Sequence, residues 1–192
     1  MDVLAAHQLK QGLLLALLQR QANGKGSRVS VTLFEAGVAA LTNQASNWLN
    51  VGALPQRTGS QHPNIAPYGD VFFTANGKAV MVAAGTQQQF EALCQCLEIP
   101  HLTTHHLFVN NQLRVQHRQQ LGQALQAAFS QFDFEVLLPR CMNQNVPIAP
   151  INNMQEVFAQ PMAAAMVLNN SLPNGQVAQT VKTVAFKLTQ KS

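Results

Sequence analysis

With 192 residues, 47% of them apolar, the chain can fill one sizeable core or two small ones, and it is too apolar for disorder. Its formal charge of +4 reflects scarce acids, eight against twelve scattered Lys and Arg, and no basic stripe points to nucleic acid. Three cysteines, at 94, 96 and 141, make no even disulfide framework, and the apolar run over 13–18 is far short of a membrane span, so no membrane association and a reducing cytoplasm are expected.

Apolar residues at 3, 4, 9, 13, 14, 17 and 18 predict a first helix. Asp2 stands at its start, where a carboxylate suits the positive end of the helix dipole, and the two glycines of 23–26 stop it. Val29, Val31 and Leu33 alternate with polar residues and predict a strand; helical spacing returns over 34–49. Helix, strand, helix is a piece of an α/β layer, because one strand has no sheet to join.

Gly, Pro, Ser and Asn crowd residues 50–67, a candidate linker. Two β-rich runs, 70–74 and 79–85, flank Asn76-Gly77 and predict a hairpin. Thr86 and Gln89 form a capping-box pair before a helix that ends near Glu98 and Pro100. After a loop with three histidines, a long helix is expected over 111–131, with Leu113, Leu121, Leu125 and Phe129 on one face. A further helix opens near Asp133 and carries Pro139, which should kink or divide it. A short helix over 154–160 ends at Pro161, and the stretch 166–186 reads as strands joined at Asn174-Gly175.

Few side-chain groupings announce chemistry. Cys94 and Cys96 lie about 200° apart on a helix, which puts one thiol toward the core and the other away. A zinc site needs a second pair of ligands; Cys141, His101, His105 and His106 are available in principle, but buried structural thiols and a polar histidine loop are the preferred readings, with no metal. His7 and Asp2 point about 140° apart and do not form a pair. No nucleophile-elbow serine, paired-histidine zinc helix or phosphate-binding glycine loop is present, and 23–26 follows a helix instead of opening one. Asp2, one of only eight acids, is a candidate nucleophile. Taken locally, an ordinary first-turn acid is the preferred reading.

Four stretches in order, 2–41, 57–97, 110–121 and 145–163, resemble the family III CoA-transferases. The wordings "GSQHPNIAPY" at 59–68 and "VPIAPINNMQEVFAQP" at 146–161 are closest to members that use dicarboxylates such as glutarate. The resemblance implies an α/β fold: a fragment of a Rossmann-like large domain at 1–52, a small α+β domain with the hairpin and linking helices at 53–145, and a return segment toward the large domain at 146–192.

By the same resemblance, Asp2 occupies the place of the family's catalytic aspartate, which carries first an acyl group and then CoA. Gly59, Ser60, Gln61 and His62 fall near the loop that closes over substrate, although the glycine run of the formyl-CoA enzyme is missing from them. The partners would be an acyl-CoA and a carboxylic acid, with coenzyme A thioester as substrate and no cofactor. Family members have roughly twice this length and form interlocked dimers, so the chain is expected to be a truncated form. It would associate with a missing N-terminal half chain or as a homo-oligomer. Two other readings stay open: a catalytically silent association module, and part of an α-methylacyl-CoA racemase-like enzyme.

Overall fold

The computed structural model describes residues 1–186, 188 and 189; residues 187 and 190–192, at the end of the expected return segment, lie outside the described residues. The chain divides into two units, residues 1–57 and 58–192.

The first unit is helical. Helix α1 (Asp2–Asn23) ends on Gly24, whose positive φ of 72° closes the last turn through a bond from its N–H to the Arg20 carbonyl. Helix α2 (Leu33–Ala39) starts at Thr32, whose hydroxyl accepts the Glu35 N–H at 3.1 Å and donates to the Glu35 carboxylate at 2.7 Å. Helix α3 (Thr42–Val51) follows directly. The strand expected at 29–33 does not form. Residues 25–32 have no regular structure, and no strand pairs with them among the described residues. Alternation writes a strand's faces, but a strand exists only when another supplies its hydrogen bonds.

The second unit is built on a three-stranded antiparallel sheet in the order β1 (Tyr68–Phe73), β2 (Ala79–Ala83), β3 (Ile148–Pro150). The first two form the expected hairpin. Thr74 N–H donates to the Lys78 carbonyl at 3.1 Å across the Asn76-Gly77 turn, where Gly77 takes φ of 75°. Phe72, Val80 and Val82 point inward and meet α4 (Gln87–Cys96), α6 (Arg118–Phe129) and α7 (Phe134–Asn143) in one core. The rings of Phe72 and Phe129 stack at 4.8 Å. Each large apolar side chain in this core contributes on the order of 1.5–3 kcal/mol. A side chain covers the end of the open edge at β1: Phe73 N–H donates to Gln126 Oε1 at 3.0 Å, and Gln126 Nε2 donates back to the Phe73 carbonyl at 2.9 Å.

Several boundaries differ from the sequence reading. The capping box of α4 is present as expected, with Thr86 accepting from Gln89 N–H. Both thiols of its Cys-x-Cys are buried, however, because α7 covers the end of α4 and brings Cys141 beside Cys96. The long helix is two, α5 (Asn111–Gln116) and α6, parted at His117. Pro139 does not divide α7: it forfeits the bond to the carbonyl of exposed Glu135, which water can replace. The helix expected to stop at Pro161 stops sooner, as α8 (Met154–Phe158), and Pro161 instead opens α9 (Pro161–Ala164) in the first-turn position that suits its missing N–H. The hairpin β4 (Val167–Ser171) and β5 (Val177–Val181) forms a separate two-stranded sheet.

Candidate active site

Asp2 is the first residue of α1. No side chain caps the leading amides of this helix, so the positive end of its dipole falls on the Asp2 turn. Two glycines let neighbouring segments press on α1: the Met1 side chain lies against Gly37 of α2, and Val29 Cγ1 sits 2.6 Å from where a Cβ on Gly12 would be. Asp2 itself is exposed.

Gly59, Ser60, Gln61 and His62 belong to the second unit, where they form one loop fastened to β1. Gly59 takes φ of 66°, a left-handed conformation that glycine adopts without penalty. Ser60 Oγ donates to the Gly69 carbonyl at 2.5 Å, and Gln61 Nε2 donates to Asp70 Oδ1 at 2.6 Å. The other Asp70 oxygen accepts the Tyr68 N–H at 2.8 Å, so this buried carboxylate is shared between loop and strand. His62 N–H donates to the Tyr68 carbonyl, and its ring meets Tyr68 edge-on at 5.4 Å. Gly69 must be glycine: φ is 77°, and a Cβ there would collide with the Ser60 carbonyl oxygen.

Three residues from α5 and α6 hold the far side of the loop. Arg118 Nη2 donates to the carbonyls of His62, at 2.6 Å, and Ile65. Asn111 donates to the Asn64 carbonyl at 2.8 Å and accepts the Ala66 N–H at 3.1 Å. Arg114, itself buried, reaches the carbonyls of Ala66 and Phe108 and the Gln87 side chain, with its guanidinium 4.2 Å from the Phe90 ring centre. Burial pulls its pKa below the usual arginine value. Beside this network, a groove of about 850 Å³ runs between β1 and α6, lined by Gln61, Asp70, Arg118, Gln119, Gln123 and Gln126 among others.

Sequence reading did not single out Asp70, Asn111, Arg114 or Arg118. A signal was available for the arginines: 114 and 118 continue the spacing of Leu121 and Leu125, and so fall on the helical stripe that faces the core. The histidines near 101–106 are not drawn into a metal set. The His105 ring stacks with those of His106 and Phe108 at 4.6 and 4.8 Å, and no three His, Cys, Asp or Glu side chains converge as metal ligands among the described residues. Burial pushes the Cys94 and Cys141 thiols up to about 12, which leaves both protonated and unreactive near neutral pH. No helix among the described residues is long and apolar enough to cross a membrane.

The sequence model described as CoA-transferase family III matches residues 1–192. The chain is 37% identical over 177 residues to an acyl-CoA transferase of Fusarium pseudograminearum, covering 92% of this chain and 38% of that one. It is 34% identical over 170 residues to the succinate–glutarate CoA-transferase of Agrobacterium fabrum, covering 88% and 42%. The human succinyl-CoA:glutarate CoA-transferase is 35% identical over 160 residues, covering 83% and 35%. Among solved structures, a CAIB/BAIF family protein from Brucella suis superposes with a TM-score of 0.63 at 32% identity, over 91% of this chain and 45% of that one. Rv3272 from M. tuberculosis shares the fold with a TM-score of 0.76 at 21% identity. The chain therefore spans less than half the length of these relatives. With a family match running its full length and relatives above 30% identity that agree with it, the chain belongs to CoA-transferase family III.

Proposed function

We propose that this chain carries the nucleophile-bearing part of an enzyme that moves CoA from an acyl-CoA to a free carboxylate, with a dicarboxylic acid among its substrates. The observation that carries the reading is Asp2 at the first turn of an uncapped 22-residue helix, in a chain matched from end to end by the family. The names of the relatives, which act on succinate, glutarate, oxalate and citramalate, support the dicarboxylate.

In this reading an Asp2 carboxylate oxygen attacks the thioester carbonyl, and the C–S bond breaks. The products are a mixed anhydride on Asp2 and a CoA thiolate. The thiolate then attacks the Asp2 carbonyl carbon, releasing the first acid and leaving an Asp2–CoA thioester. The incoming carboxylate attacks that thioester to form a second anhydride, and the freed thiolate takes the new acyl group, restoring Asp2. Dividing the exchange in this way replaces one difficult displacement with several easier ones. A carboxylate is ionised at neutral pH and needs no general base.

Gly59–His62 are proposed to stand over the substrate. Their loop is pinned through Ser60, Gln61 and Arg118, which would hold it as a rigid wall. An anhydride on an exposed carboxylate would hydrolyse before thiolate could capture it, so productive transfer requires further protein to exclude water around Asp2. The reading as a silent association module is favoured by one observation: among residues 1–57 only Ala36 is buried.

The test is mass spectrometry of the chain after incubation with succinyl-CoA, alone and together with the part of the Agrobacterium enzyme outside the 170 matched residues. A CoA adduct on Asp2 is expected in the combined sample and should vanish in Asp2→Asn. Its absence there would overturn the catalytic reading in favour of the silent module.

A further inference from the structure

Helices α4 and α7 pack together in the second unit and carry all three cysteines. Each is a free thiol in the core, but the three are not equivalent. Cys94 is fully enclosed, with Arg114 and Glu91 as its charged neighbours. Cys96 and Cys141 meet across the helix pair, thiol to thiol, in a hydrogen bond between their side chains. Cys96 also keeps 5% of its surface open, whereas Cys141 keeps none. It lines a hollow of about 290 Å³ together with the exposed side chains of Glu98 and Arg140, which form an ion pair at 2.8 Å. A small molecule in this hollow reaches one sulfur and finds a second directly behind it.

We propose that Cys96 and Cys141 are an oxidative modification site, at which hydrogen peroxide converts the two thiols into an intramolecular disulfide that clips α4 to α7. The Cys96 sulfur attacks a peroxide oxygen. The S–O bond forms, the O–O bond breaks, and the departing hydroxide takes the thiol proton and leaves as water. This makes a sulfenic acid at Cys96. The Cys141 sulfur then attacks the Cys96 sulfur, the S–S bond forms and the S–O bond breaks, and the second hydroxide leaves as water with the Cys141 proton. The two thiols lose two electrons, and the peroxide gains them. Burial favours the neutral thiol at Cys96, opposed by the Cys141 hydrogen bond and the Arg140 charge, so the first step is slow and sets the rate. Cys141 stays neutral and meets no oxidant from solvent; contact with the new sulfenic acid supplies what ionisation does not. The bridge closes a loop of about 45 residues and so restricts the unfolded chain.

The experiment treats the 192-residue chain with millimolar hydrogen peroxide, in buffer and in urea, alkylates the remaining thiols and maps the digest by mass spectrometry. In buffer the expected product is one bridge within the chain, joining Cys96 to Cys141 and about 2 Da lighter than the dithiol, with Cys94 still a thiol. In urea, bridges to Cys94 should appear as well, because only the folded packing singles out Cys96. Cys141→Ala should stop at a sulfenic acid on Cys96 that dimedone captures, Cys96→Ala should leave Cys141 a thiol, and Cys94→Ala should keep the bridge. Should an alanine variant fail to fold, the unsubstituted chain carries the test alone: once bridged, its α4 and α7 amides should exchange at least about tenfold more slowly than in the reduced chain. A bridge from Cys94 in buffer, a bridge between two chains, or a sulfinic acid at Cys96 with no bridge overturns the inference. So do three intact thiols under conditions that oxidise free cysteine, or a bridged chain in which α4 and α7 exchange as fast as before.

Discussion

Arg118 serves two loop carbonyls with a single nitrogen, and Arg114 and Asn111 take the next ones along. The loop at 59–66 is thus held by side chains from helices some fifty residues away in sequence, while Ser60 and Gln61 tie its other face to β1. Hydrogen bonds from a charged donor are worth about 1.5–3 kcal/mol each when buried, and less where water can compete. Arg118→Met should therefore lower unfolding free energy by about 1–2 kcal/mol in urea titration. It should also speed amide exchange across 59–66 more than across α7, a local signature that uniform destabilisation would not produce. None of this was visible from residue type alone, since arginine is by default a surface residue. The carbonyls that make its burial tolerable belong to a loop whose path is set by the fold. The role proposed for Asp2, likewise, comes from family resemblance and not from local chemistry.

At the scale of elements, what is local in sequence is also legible there. The Asn76-Gly77 hairpin and the Thr86–Gln89 capping box each depend on residues within a few positions of one another, and both formed as expected. Thr86→Ala should cost about 0.5–2 kcal/mol, read as a lower urea midpoint, because it strips the cap from the helix that carries Phe90 and Leu93 into the core. Features that depend on distant partners were less legible. The alternation at 29–33 predicted a strand that does not form, since no strand pairs with it among the described residues. One thiol of the Cys94/Cys96 pair was expected to point away from the core, yet both are buried because α7 packs over the end of α4. The gap at His117 shows the same limit from the other side, since apolar spacing continues across a break that only backbone geometry reveals.

Across the whole molecule the two units differ in kind. Residues 58–192 enclose a core from three helices and a sheet, whereas residues 1–57 have helices and almost nothing inside. Buried apolar contact is what raises the free energy of local opening. In the chain alone, amides of α1–α3 should exchange at urea concentrations where β1, β2 and α6 remain protected, giving two transitions; one shared transition would contradict the division. The second unit also has a boundary to defend, and its composition offers little help, since only one residue in ten is charged. Repulsion between like molecules is correspondingly faint. Gln126 answers by lending both halves of its amide to Phe73, so that an approaching molecule meets a backbone already spoken for. Loss of this one carboxamide would leave the Phe73 backbone open to a strand from another molecule, with few charges nearby to turn it away.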